Sequence, residues 1–172
     1  MISGNYSGNK AVILITGIMI LFFSVRVKAQ QPPPRPISVS WNPSLGLRFG
    51  AFFATTSGGT VVVSPSGIRT ATGSVVLANF GYIYGAASFN IVAVPGTQVT
   101  LLNGPDATLT GSGGGTVSLH IGSSSPPSPF VTTVNPPSYN TVNIGGTLTV
   151  GSSVASPPGA YSGTFYITFF QE

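Results

Sequence analysis

Past Ala29 the chain offers one histidine, His120, and two carboxylate side chains, Asp106 and Glu172. General acid–base catalysis needs a positioned proton carrier, and these are the only candidates of that kind. His120, Asp106 and one of the many serines could in principle form a nucleophilic triad. No Gly-x-Ser-x-Gly elbow supports that arrangement. A zinc site wants three or four His, Cys or carboxylate ligands. The chain could supply three only by joining His120, Asp106 and Glu172, which lie far apart in sequence. Calcium favours several acidic ligands, which are lacking. Gly111-Ser-Gly-Gly-Gly115 has no Lys-Ser/Thr after it and opens no helix, so it is not a phosphate loop. The expectation is a protein without catalytic residues, metal ligands or cofactor.

The elements that hold these residues are strands and turns. Val117, Leu119 and Ile121 alternate and face inward, which turns His120 outward. Asp106 sits in Asn103-Gly-Pro-Asp, a turn sequence. Arg48 and Arg69 are the only charges within strand patterns, and each can meet a backbone carbonyl or solvent. Aromatic faces are the remaining contact candidates. Trp41, Tyr82 and Tyr84 are singled out as contacts for a ligand or partner; Tyr139, Tyr161 and Tyr166 complete the set.

The first 29 residues read as a signal peptide. Lys10 precedes the apolar run Ala11–Phe23, too short to span a bilayer as a helix, and Val27-Lys-Ala29 offers small residues to a signal peptidase. Cleavage is expected between Ala29 and Gln30. Lys10, Arg26 and Lys28 leave with that segment. Arg35, Arg48 and Arg69 remain against Asp106 and Glu172; three cations against two anions leave a net charge of +1. Three scattered arginines cannot displace the counterions of a nucleic acid, so that partner class is excluded.

Hydrophobic residues make up 42% and charged residues 5% of the chain, a balance that folds rather than stays disordered. There is no cysteine, so no disulfide and no lipid-carrying cysteine at the cleavage site. The domain reading is a signal peptide at 1–29, a proline-rich leader at 30–36 and one β domain at 37–172. The leader Gln30-Gln-Pro-Pro-Pro-Arg-Pro36 is extended in character.

Period-two alternation, broken by Gly and Pro, then runs to the end. Strands are expected at Ile37–Trp41, Leu45–Phe53, Thr60–Ser64, Ile68–Thr72, Ser74–Ala78, Ala87–Val94, Gln98–Leu102, Ala107–Thr110 and Thr116–Ile121. Gly58-Gly59 and Pro95-Gly96 read as turns, with Gln98–Leu102 pairing back across the latter. Asn79–Gly85 is an aromatic loop or short strand. Gly122–Asn140, with five prolines and five serines, is a loop or a crossing between sheets. The clearest pattern closes the chain: Val142–Val150, a Pro-Pro-Gly loop, then Tyr161–Phe170, a pair expected to form the closing edge of the sandwich with Phe165, Ile167 and Phe169 in the core. No helical period follows Ala29. The fold class is all-β: a single immunoglobulin-like or pilin-like sandwich of about eight to ten short antiparallel strands.

Six blocks in order support a comparison: Leu47-Arg-Phe-Gly-Ala-Phe, Gly58-Gly-Thr-Val-Val-Val-Ser-Pro-Ser-Gly-Ile-Arg, Thr72-Gly-Ser-Val-Val-Leu, Pro95-Gly-Thr-Gln-Val-Thr-Leu, Gly145-Gly-Thr-Leu-Thr-Val-Gly and Pro158-Gly-Ala-Tyr-Ser-Gly-Thr-Phe-Tyr-Ile-Thr. Together, over Ile37–Phe170, they resemble the secreted bacterial family called domain of unknown function 4402. The resemblance implies export and a sandwich similar to pilus-subunit and spore-coat-protein-U domains. It brings no activity and no catalytic motif. The stretch Gly122–Asn140 departs from the family pattern, being longer and richer in proline.

The functional expectation is an exported, non-catalytic structural or adhesive protein, secreted or on the cell surface, with the periplasm as another destination. Its partners would be copies of itself or other surface proteins, and a membrane only during export. Strand addition by Ile37–Trp41 would join copies. The alternatives are a carbohydrate-binding module with a glycan partner, and a small outer-membrane β-barrel.

Overall fold

The computed structural model describes residues 35–172. The expected signal peptide, its expected cleavage between Ala29 and Gln30 and most of the proline-rich leader lie outside the described residues. Within them the chain forms thirteen strands, nine of which have four or more residues. That nine lies within the expected eight to ten; the other four, β2, β5, β10 and β12, are two-residue bridges.

The large sheet is built around β11 (Asn140–Val150). One edge of β11 pairs along its first half with β6 (Ala87–Val92) and along its second half with β3 (Ala51–Val63). Its other edge pairs with β9 (Thr116–Ser125), with Leu148 opposite Leu119. Beyond β6 lies β1 (Ser38–Trp41), beyond β9 lies β8 (Ala107–Gly111), and β12 (Tyr161–Ser162) closes that side. β4 (Arg69–Ala78) pairs with β3. The second sheet is β10 (Phe130–Val131), β7 (Gln98–Asn103) and β13 (Ile167–Gln171). A bridge joins β2 (Arg48–Phe49) to β5 (Tyr84–Gly85).

Alternation decides what each face buries. In β9 the pattern is strict: Val117, Leu119 and Ile121 are buried, while Ser118 and His120 are exposed. Ile91, Val142 and Ile144 of the large sheet are fully buried, and Val99 of β7 and Phe130 of β10 belong to the same core. Phe165, Ile167 and Phe169 pack against it as expected. Across the layers, the rings of Phe89 and Phe169 meet at 5.4 Å between centroids, tilted by 54°. Such tilted contact is a favourable aromatic geometry. These contacts make the two sheets a sandwich.

Three expectations need correction. Gly58-Gly59 is not a chain-reversing turn. Ala51–Val63 is one strand with an irregularity between Ala54 and Gly59, and Arg69–Ala78 is its continuous partner. Gly58 has φ +71° and Gly73 φ +69°, so the two glycines absorb a bend that side chains would resist. Second, β7 does not pair back onto β6. Pro95-Gly96 does turn the chain, but it delivers β7 into the other sheet, with buried Thr132 donating to the Val94 carbonyl at 2.7 Å. Third, the closing pair does not form one edge of the sandwich. β11 is central in the large sheet, and β13 pairs with β7 in the small one. Both segments are apolar on one face, so burial alone allowed either sheet. The proline-rich stretch does cross between sheets: the chain leaves β9, pairs with β7 as β10, and returns as β11.

Candidate functional site

Two surface features gather the chemistry-bearing residues. The first lies on the outer face of the β8–β9 hairpin. Ala107 stands opposite Leu119, so Asp106 and His120 come next in register. His120 Nδ1 and Asp106 Oδ1 are 2.7 Å apart, and both side chains are largely exposed. An ionised carboxylate only accepts, so Nδ1 carries the hydrogen and Nε2 points away from the pair. Thr147 of β11 is the cross-strand neighbour of His120 on the other side. No serine or threonine hydroxyl of the described residues hydrogen-bonds the ring. Glu172 is elsewhere. It accepts from Gln98 Nε2 and, at 2.7 Å, from Thr100 Oγ1, pinning the end of β13 to β7. The three potential ligands therefore do not converge, and no group of three His, Cys, Asp or Glu occurs among the described residues.

The second feature surrounds the start of β3. Arg69 turns its guanidinium inward. Nη1 donates to the carbonyls of Phe49 at 2.8 Å and Ala51 at 3.1 Å, and Nη2 to that of Ala78 at 3.2 Å. One face of the cation lies over Tyr84, 4.2 Å from the ring centroid. Gly50, at φ +66°, leaves room for it: a Cβ there would collide with Nη1. Tyr84 thus spends a face on Arg69. Arg48 makes a single long contact, Nη2 to the Pro43 carbonyl at 3.5 Å.

Beside this clamp runs an open groove of about 840 Å³. Its lining includes Phe49, Phe52 and Phe53, Leu148, and Pro157, Pro158 and Tyr161. Tyr161 is fixed by its hydroxyl donating to the Pro157 carbonyl at 2.6 Å. Tyr82 lines the mouth and is 70% exposed. Phe80 and Ile83 beside it are equally open. Trp41, 61% exposed, stands instead on β1 opposite Phe89. Of the three aromatic candidates, Tyr82 alone lines the groove, Tyr84 braces Arg69, and Trp41 sits on the edge strand.

The arginine clamp and the groove were not legible in the sequence, because both depend on the bend in β3 and β4. The His120–Asp106 contact was within reach. A hairpin centred on Gly111–Gly115 already sets Asp106 opposite His120 once Ala107 is opposite Leu119.

A family model described as Domain of unknown function (DUF4402) matches residues 39–169. No curated protein and no solved structure matches the chain.

Proposed function

The chain belongs to the DUF4402 family, and we propose that it is an exported, non-catalytic structural protein of the cell surface whose copies join by strand addition. The observation that carries this reading is β1. All four of its residues are exposed, and it lies at the outer edge of the large sheet. Its ladder to β6 runs from Ser38 opposite Val92 to Trp41 opposite Phe89, and just before it Ile37 N donates to Gln171 Oε1 at 3.1 Å. None of the four side chains of β1 is buried, so the strand is held mainly by backbone bonds, with Ile37 just before it packing partly against the core. The β6 edge of a second copy offers the same bonds, so exchange between copies loses little. The terminal pattern Tyr161-Ser-Gly-Thr-Phe-Tyr-Ile-Thr, similar to that of pilus subunits, supports the surface role. Here β13 pairs with its own chain's β7, which leaves β1 as the exchangeable strand.

The test is deletion of Ile37–Trp41 with light scattering of the purified protein. Loss of the extended assemblies with the fold retained by circular dichroism supports the reading. Unchanged assembly overturns it.

A second reading, glycan binding, is favoured by Tyr82 at the mouth of the groove and by the exposed indole of Trp41. Glycan-array binding that disappears in Trp41→Ala or Tyr82→Ala would establish it.

A further inference from the structure

The large sheet has a second open edge, longer than β1. β4 pairs only with β3, so the other side of Arg69–Ala78 has no strand partner among the described residues. No turn or loop backbone bond reaches Thr70–Leu77 either. Such an edge presents unpaired N–H and C=O groups, and proteins ordinarily blunt it with lysine, proline, a bulge, an inward-pointing charge or a short length. β4 has ten residues, no proline and no lysine. Its one charge, Arg69, points inward at the turn end, and the ladder irregularity lies before Val75. Arg69 Nη2 donates to the Ala78 carbonyl and Thr55 Oγ1 to that of Ser74, both at 3.2 Å, which leaves the groups between them open. Gly73 bends the strand, which leaves Ser74–Ala78 as a separate extended arm. At its middle, Val76 is 47% exposed and stands opposite Phe53, itself 50% exposed. Val75, on the other face, belongs to the core.

We propose that the Ser74–Ala78 edge of β4 pairs antiparallel with the same edge of a second copy, across a two-fold axis at Val76. Three properties select a second copy as the occupant. The arm carries no charge, so two copies meet without like-charge repulsion. The pairing is self-complementary, with Val76 facing Val76 and Ser74 facing Ala78. It also flanks the exposed Val76 of each copy, which an unpaired edge leaves in water. This contact is isologous and closes on itself, unlike the exchange of β1, so the two interfaces are separate and combine into longer assemblies.

The chain has no cysteine, so disulfide trapping has no background. Mild oxidation of the full chain carrying Val76→Cys is expected to give a covalent dimer. Thr108→Cys, exposed on β8, should stay single under the same conditions. In the chain lacking Ile37–Trp41, where β1 cannot exchange, sedimentation should find a dimer, and adding Val76→Lys should halve its mass. If Val76→Cys forms no more dimer than Thr108→Cys, the proposal is overturned. Assemblies indifferent to Val76→Lys but abolished by the β1 deletion would also overturn it, while leaving the exchange of β1 standing.

Discussion

The guanidinium of Arg69 lies 4.2 Å from the centroid of the Tyr84 ring, and its nitrogens bond the carbonyls of Phe49, Ala51 and Ala78. Arg69 pairs with Val63 at the hairpin end of β3 and β4, whereas Ala51 pairs with Ala78 at the other end. A single side chain therefore ties the two ends of a bent hairpin together. Hydrogen bonds to a charged donor contribute more than neutral ones, and unpaired carbonyls would be left behind. Arg69→Ala should lower the unfolding free energy by about 3 kcal/mol in urea titration, from several bonds to a charged group. Arg69→Lys should recover only part of this, since an ammonium lacks the planar fork. A midpoint unchanged in both variants would remove the clamp from the account.

Gly58 makes the bend possible. At φ +71° it is in the left-handed region, and a Cβ there would run into the Val150 carbonyl. Gly58→Ala should destabilise by about 2 kcal/mol or more, by conformational strain added to a steric clash. Gly67, at φ +80° with no atom near its missing Cβ, isolates the conformational part. Gly67→Ala should cost about 1 kcal/mol. Equal losses at the two sites would refute the close approach at Gly58.

Much of the fold was legible because alternation is a local signal. Val117, Leu119 and Ile121 face inward as their spacing says, and Phe165, Ile167 and Phe169 join the core. Pairing was less legible. Val142–Val150 and Ile167–Gln171 each present one apolar face, and nothing in either segment states which sheet it joins. Gly58 and Gly73 read as breaks because glycine marks a turn and a bend alike. The same limit hid the groove and the Arg69 carbonyl clamp, which exist only once the hairpin has folded over.

Ile144 tests the interior. It is fully buried in β11, the strand shared by both halves of the large sheet. Ile144→Ala should cost about 2–5 kcal/mol in chemical denaturation, the range for emptying a packed site. A loss below about 1 kcal/mol, more typical of a surface substitution, would place that side chain outside the core.

The His120–Asp106 contact is short but exposed on both sides. A double-mutant cycle with His120→Ala and Asp106→Ala should give a coupling under about 1 kcal/mol that fades with added salt. A much larger coupling, insensitive to salt, would show that the hairpin depends on this pair.

Strand addition is tested most directly by electron microscopy of the purified protein beside the chain lacking Ile37–Trp41. The expected result is extended assemblies for the full chain and nothing larger than a dimer in the deletion. Single particles of one chain for both, at every concentration, would contradict the assembly of this protein through its sheet edges.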